Sequence, residues 1–84
     1  MQDKPRRAFN VRTDTGTGSV LAVRNVDAFE FDSVGADIWD MCNGQNTPAV
    51  IAGTICEKYD VPLSVAESDV QDFLRELSDN GLLE

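Results

Sequence analysis

Ala28-Phe29-Glu30-Phe31-Asp32-Ser33-Val34-Gly35-Ala36-Asp37-Ile38-Trp39 is the stretch in which the hydrophobic pattern changes its period. Ala28 to Phe31 alternates, placing Phe29 and Phe31 on one side and Glu30 on the other, which is the two-residue period of a strand. Past Asp32 the spacing becomes helical, with Val34, Ile38, Met41 and Cys42 on one stripe and Trp39 on an adjacent arc, at the core or its edge. Asp32 or Ser33 can accept from an early helix N–H as the cap between the two. Asn43-Gly44 is a typical helix stop. The chain therefore changes from strand to helix here.

Two further helices follow. Thr47 caps the second, with Pro48 at its first position, where a missing N–H costs nothing. Val50, Ile51, Ile55 and Tyr59 trace its apolar face, and it ends before Asp60-Val61-Pro62. Ser64-Val65-Ala66-Glu67 matches the capping box, in which Ser and Glu each satisfy an orphan backbone donor. The third helix then runs to about Asn80, with Gly81 as its stop. Ala66, Val70, Phe73, Leu74 and Leu77 share one arc, and Phe73 lies at its margin, flanked by Asp69 and Glu76. Leu82 and Leu83 are expected to fold back on the core.

Upstream, Ser19-Val20-Leu21-Ala22-Val23-Arg24 is a nearly continuous apolar run suited to a central strand. Ala8 to Thr13 alternates, with Phe9 and Val11 on one side. Asp14-Thr15-Gly16-Thr17-Gly18 and Asn25-Val26-Asp27 supply turns. Three strands joined by tight turns predict an antiparallel meander. The polar, Pro-containing residues 1–7 are expected to fray, leaving one domain over residues 8–84. The fold class is α+β, a three-stranded antiparallel sheet followed by three helices in the order of a winged helix-turn-helix.

That order is best known for gripping DNA, and the charge contradicts it. The 84 residues carry a net charge of -8. Residues 1–24 hold +3, residues 25–56 hold -5 and residues 57–84 hold -6. DNA binders draw much of their affinity from Lys and Arg set against phosphates, and the third helix would repel phosphate. The acidic part is instead suited to steering a basic partner. A hydrophobic fraction of 42% fits a small globular domain. No apolar run approaches a membrane span, and Met1 to Arg7 lacks the apolar region of a signal peptide. These features predict a cytoplasmic protein, with Cys42 and Cys56 as reduced thiols.

Enzymatic constellations are missing from the sequence. The chain has no His and no Cys-x-x-Cys pair, so a metal site is not expected and no histidine base is available. Cys42 and Cys56 have no neighbouring cation or base to form a thiolate. Asp37 and Asp40 read as charge on a solvated face. Gly16 and Gly18 are not followed by the Lys-Ser/Thr of a phosphate loop. Asp32-Ser33-Val34 is similar to the serine motif of acyl carrier proteins, which would make Ser33 a phosphopantetheine site. A carrier needs a long helix before that serine, whereas this chain offers alternating strands and turns. The carrier and an acidic winged-helix regulator are the alternatives to a peptide-binding module.

One pattern spans residues 20–84. Val20-Leu21-Ala22-Val23 is followed by Phe29-x-Phe31-Asp32-x-x-Gly35-x-x-Ile38-Trp39. Next come Cys42-Asn43-Gly44-x-x-Thr47-x-x-x-Ile51 and Tyr59-Asp60-Val61. Asp69-Val70-x-x-Phe73-Leu74-x-x-Leu77-x-x-x-Gly81-Leu82-Leu83 closes it. In order and spacing it resembles the PqqD-like family, the recognition elements of ribosomally made and modified peptides. Its stand-alone members include the partners of lasso-peptide leader peptidases and a chaperone of quinone-cofactor biosynthesis.

The resemblance implies an accessory protein without catalytic residues, metal or cofactor. It would bind the leader of a precursor peptide and deliver it to a separate leader peptidase, cyclase or other modifying enzyme, with no nucleic acid or membrane involved. The leader would add as a strand to the third strand, in the groove beside the third helix. The peptide-binding residues implied are Ala28, Phe29, Glu30 and Phe31 on the strand. On the helix they are Asp69, Val70, Asp72, Phe73, Glu76 and Leu77. A strand this short leaves an edge of unpaired N–H and C=O groups for an incoming peptide.

Overall fold

The computed structural model describes residues 4–15, 20–24 and 27–84. Strands β1 (Arg12–Asp14), β2 (Val20–Arg24) and β3 (Asp27–Phe31) form an antiparallel sheet in the order β1-β2-β3. Helices α1 (Ser33–Met41), α2 (Pro48–Tyr59) and α3 (Leu63–Asp79) follow. The expected α+β architecture is therefore the one observed. The turns expected at Gly16 to Gly18 and at Asn25-Val26 lie outside the described residues.

Register aligns Ala22 with Phe29 and Val20 with Phe31. This places the strands' apolar side against the helices. There, buried Ala22 meets a core of Ile38, Trp39, Cys42, Ile51, Ala52, Ile55, Ala66, Val70, Leu74, Leu77 and Leu82. Trp39, on the arc beside the expected stripe, is the largest fully buried side chain among the described residues, and its indole N–H donates to Thr13 Oγ1 at 2.8 Å. Val34 and Met41 are only partly buried against this core. Among the described residues no helix is long and apolar enough to cross a membrane.

Local chemistry sets the helix ends. Asp32 caps α1, accepting from Gly35 N–H at 2.8 Å, and Thr47 caps α2, accepting from Val50 N–H at 3.2 Å. The capping box at Ser64 does not form. Helix α3 begins two residues earlier than a Ser64 cap would start it, at Leu63, with extended Pro62 as its cap residue and no side-chain cap bond. The Pro62 carbonyl accepts from Val65 and Ala66 at 3.0 Å, so Ser64 is already inside the first turn, where its backbone cannot act as a cap. On α2, Val50 is 51% exposed and Ala52 is buried instead. The buried arc runs through Ile51, Ala52 and Ile55, and Val50 falls one residue outside it.

The N-terminal segment departs furthest from expectation. Arg7 N–H donates to the Cys42 carbonyl and Ala8 N–H to the Leu82 carbonyl, both at 2.9 Å, while the Arg6 carbonyl accepts from Glu84. Pro5 is buried, and the Arg7 guanidinium donates to the Trp39 and Asp40 carbonyls at the end of α1. Residues 5–8 are thus tied to α1 and the C-terminus. Having made those bonds, the chain must turn before it can join the sheet, and Val11 N–H closes that turn on the Ala8 carbonyl. Phe9, expected on the same side as Val11 in a strand from Ala8 to Thr13, sits at the turn and is 93% exposed.

Candidate functional site

Strand β3 is an edge of the sheet, because β2 lies between it and β1. One side of its backbone is paired with β2. On the other side alternate residues present N–H and C=O groups outward. Beside that edge a groove of about 510 Å³ is lined by Phe29, Glu30, Phe31 and Asp32 from the strand and its end. From α3 and the tail come Phe73, Glu76, Leu77, Asn80 and Leu82.

Phe73 forms the partition of this site. Its ring meets Phe31 edge to face, centroids 5.4 Å apart, and Phe31 in turn lies 5.4 Å from Trp39. On the far side of Phe73 a second hollow of about 320 Å³ opens between α1 and α3. Val34, Gly35 and Ile38 line it together with Asp32, Asp69, Asp72, Phe73 and Glu76. Both hollows combine an apolar floor with carboxylates. Neither is lined by a Lys or Arg among the described residues. Arg75 is nearby in sequence but pairs with Asp72 at 3.8 Å on the exposed face.

The ten residues expected at a binding site divide four ways. Phe29, Glu30, Phe31, Phe73, Glu76 and Leu77 meet in the groove, and Asp69 and Asp72 line the adjoining hollow. Val70 is fully buried in the core and lines neither hollow. Its wheel position puts it at the centre of the buried arc of α3. Ala28 lies one residue from Phe29 on the opposite, exposed face of β3, so only its backbone faces the edge. Sequence reading missed Asp32, Asn80 and Leu82. Asn80 was within reach of the pattern, because Phe73, Glu76, Leu77 and Asn80 repeat at i, i+3, i+4 and i+7. Leu82 required knowing where the tail folds.

A third hollow, of about 650 Å³, lies beyond the end of β3 and is lined by Val20, Phe31, Asp32, Ser33, Ala36, Asp37, Lys58 and Tyr59. Here Asp37 accepts from the Tyr59 hydroxyl and pairs with Lys58 at 2.9 Å. The tyrosine hydrogen bond first, and the ammonium second, hold the Asp37 carboxyl below its usual range. Asp37 is therefore a bonded group, while Asp40 stays exposed. Ser33 is exposed at the first position of α1, preceded by a strand and not by the helix that the carrier reading needs. Both cysteines are free thiols, and burial pushes Cys42 up to about 11, so it is inert as a nucleophile.

TbiB1, solved in complex with the TbiA(beta) leader peptide, superposes with a TM-score of 0.84. The two are 30% identical over 94% of each chain. A lasso peptide synthetase B1, solved with the leader peptide, gives a TM-score of 0.86 at 17% identity, covering 96% of this chain and 98% of that one. The PqqD truncation of Methylobacterium extorquens PqqCD was solved by NMR as a stand-alone recognition element. It gives 0.78 at 24% identity, with 95% and 87% covered. The last two likenesses bear on the fold alone. None of the curated proteins matches this chain. Residues 18–83, nearly the whole of the sheet and helices, match the family described as coenzyme PQQ synthesis protein D, and with a 30% identical relative sharing the full fold, this chain belongs to the PqqD family.

Proposed function

We propose that this protein binds the leader region of a ribosomally made precursor peptide and presents the rest to a separate modifying enzyme. The leader adds as an antiparallel strand along β3 and sends its apolar side chains into the groove against α3. The observation that carries this reading is the coincidence of an open strand edge with an aromatic-floored, acid-rimmed groove. Strand addition needs both: backbone bonds for affinity and side-chain pockets for selection. The leader peptide in the complex of TbiB1, the 30% identical relative, supports the same use here. Acids at Glu30, Asp32, Asp69, Asp72 and Glu76 favour a leader with Lys or Arg beside its apolar anchors and argue against a phosphate backbone.

On this reading the protein is an accessory factor and not itself an enzyme. Its partner is a leader peptidase or cyclase of a lasso-peptide system, and it works in the cytoplasm, where such precursors are made. The test is selection of random linear peptides displayed against the purified protein, followed by amide exchange with the winners. Enriched peptides should combine apolar and basic residues and slow exchange at the outward amides of Ala28 and Glu30. Failure to enrich any peptide, or protection confined to α2, overturns the proposal.

A further inference from the structure

Gly35 occupies the third position of α1 and is buried. Its conformation does not call for glycine, since the positive-φ glycines among the described residues are Gly44 and Gly81. Glycine also weakens a helix relative to alanine. What demands it is space. A Cβ at Gly35 would lie 3.0 Å from Phe73 Cε1 and 3.1 Å from Phe73 Cζ, with Asp32 Oδ1 also at 3.1 Å. The edge of the Phe73 ring rests on bare α1 backbone.

We infer that Gly35 is a positioning residue for the peptide groove: by withholding a side chain it seats the Phe73 ring against α1 and so sets the groove's width. The inference rests on the leader-peptide reading and adds a determinant on an element that does not line the β3–α3 groove. Phe73 is only half-buried and borders both hollows. A methyl group at position 35 therefore displaces the ring into space that a bound peptide's anchor would use. The core beneath it, Leu74 and Leu77, is untouched. A residue that served only to pack the helix would act on stability. One that seats Phe73 acts on binding while stability holds or rises.

The experiment is a double-mutant cycle of Gly35→Ala and Phe73→Leu, since leucine lacks the ring atoms that Cβ would strike. Each protein is titrated with one labelled linear peptide selected from a random display library against the wild type, and each is melted. Gly35→Ala should weaken binding about tenfold in the wild-type background, within the coupling range of contacting residues. In the Phe73→Leu background it should change binding by less than about twofold, the usual additivity error. Its melting temperature should not fall, and the Phe31 ring resonances should shift as the neighbouring ring moves. Equal loss in both backgrounds places the effect at the Asp32 cap and overturns the inference, as does unchanged affinity in Gly35→Ala. Should Gly35→Ala alone fail to fold, adding Phe73→Leu must restore a cooperative melt, and its failure to do so also overturns it. If the wild type selects no peptide, the leader reading itself falls, and this inference with it.

Discussion

The ring of Phe73 on α3 stands edge-on to the ring of Phe31 on β3, with planes inclined at 70°. This contact joins the two walls of the groove, and both rings remain half-buried while their neighbours Leu74 and Leu77 are sealed in the core. Phe73→Ala should therefore cost peptide affinity more than stability, by about 2 kcal/mol or more, as for an aromatic interface anchor. Leu74→Ala should do the reverse, destabilising by about 2–5 kcal/mol through loss of burial and the cavity left behind. Peptide titration beside thermal melts distinguishes them. Wild-type affinity in Phe73→Ala would remove that residue from the site.

If a peptide adds to β3, the amides of Ala28 and Glu30, which alternate with those directed at β2, should exchange more slowly in the complex. Pairing between β1 and β2 already exists in the free protein, so exchange there should stay unchanged. Hydrogen exchange read residue by residue makes the comparison.

The acids around both hollows should show in the kinetics. Individual exposed pairs contribute little, about 0.2–1 kcal/mol each, but their combined field raises the association rate of a basic peptide. Between low and high ionic strength the association rate should fall while dissociation changes less. Reversing Asp69 and Glu76 to Lys should flatten that dependence. Unchanged rates in the double mutant at every salt concentration would reduce these acids to a solvated face.

Asp37 makes a pH prediction. Its carboxyl is held below the ordinary 3.8 by Tyr59 first and Lys58 second, so its ionised form is favoured in the folded state. A depressed carboxyl contributes stability above its unfolded value, and this is lost as pH falls through the folded one. Asp37→Asn should thus melt earlier than wild type at neutral pH, and the two curves should converge below about pH 3.8. The exposed Lys58 partner keeps the effect small. A gap that stays constant down to the lowest pH would show that the bond to Tyr59 does not depend on ionisation.

Gly81 ends α3 with φ +71, and an added Cβ would strike Arg24 Nη1, whose guanidinium donates to the Asn80 carbonyl at 2.7 Å. Gly81→Ala should lower stability by about 1–2 kcal/mol from the left-handed backbone alone, and further if Arg24 must release the carbonyl. Denaturant unfolding of Gly81→Ala and Arg24→Ala, singly and together, should show less than additive losses.

Local pattern was enough to define most of the elements. Alternation marked β3, helical spacing marked α1 and α3, and Asp32, Thr47 with Pro48, and Gly81 marked their ends, because each of these acts through bonds within a few residues. The same pattern put Phe73 at the margin of the α3 arc, and charge argued against phosphate as the ligand. Which residues face one another emerged only once the elements were packed. Asp32 and Leu82 join the groove because the end of β3 and the tail converge there, and Val70 leaves it because its side of α3 is sealed in the core. The strap at Arg6 to Ala8 turns Phe9 outward because its backbone bonds go to Cys42, Leu82 and Glu84, far away in the chain. Pro62 overrode the capping box because the carbonyl that starts α3 is its own. Local hydrogen-bond chemistry is written in neighbouring residues, whereas the partner of a buried or edge group is set by the whole chain's packing.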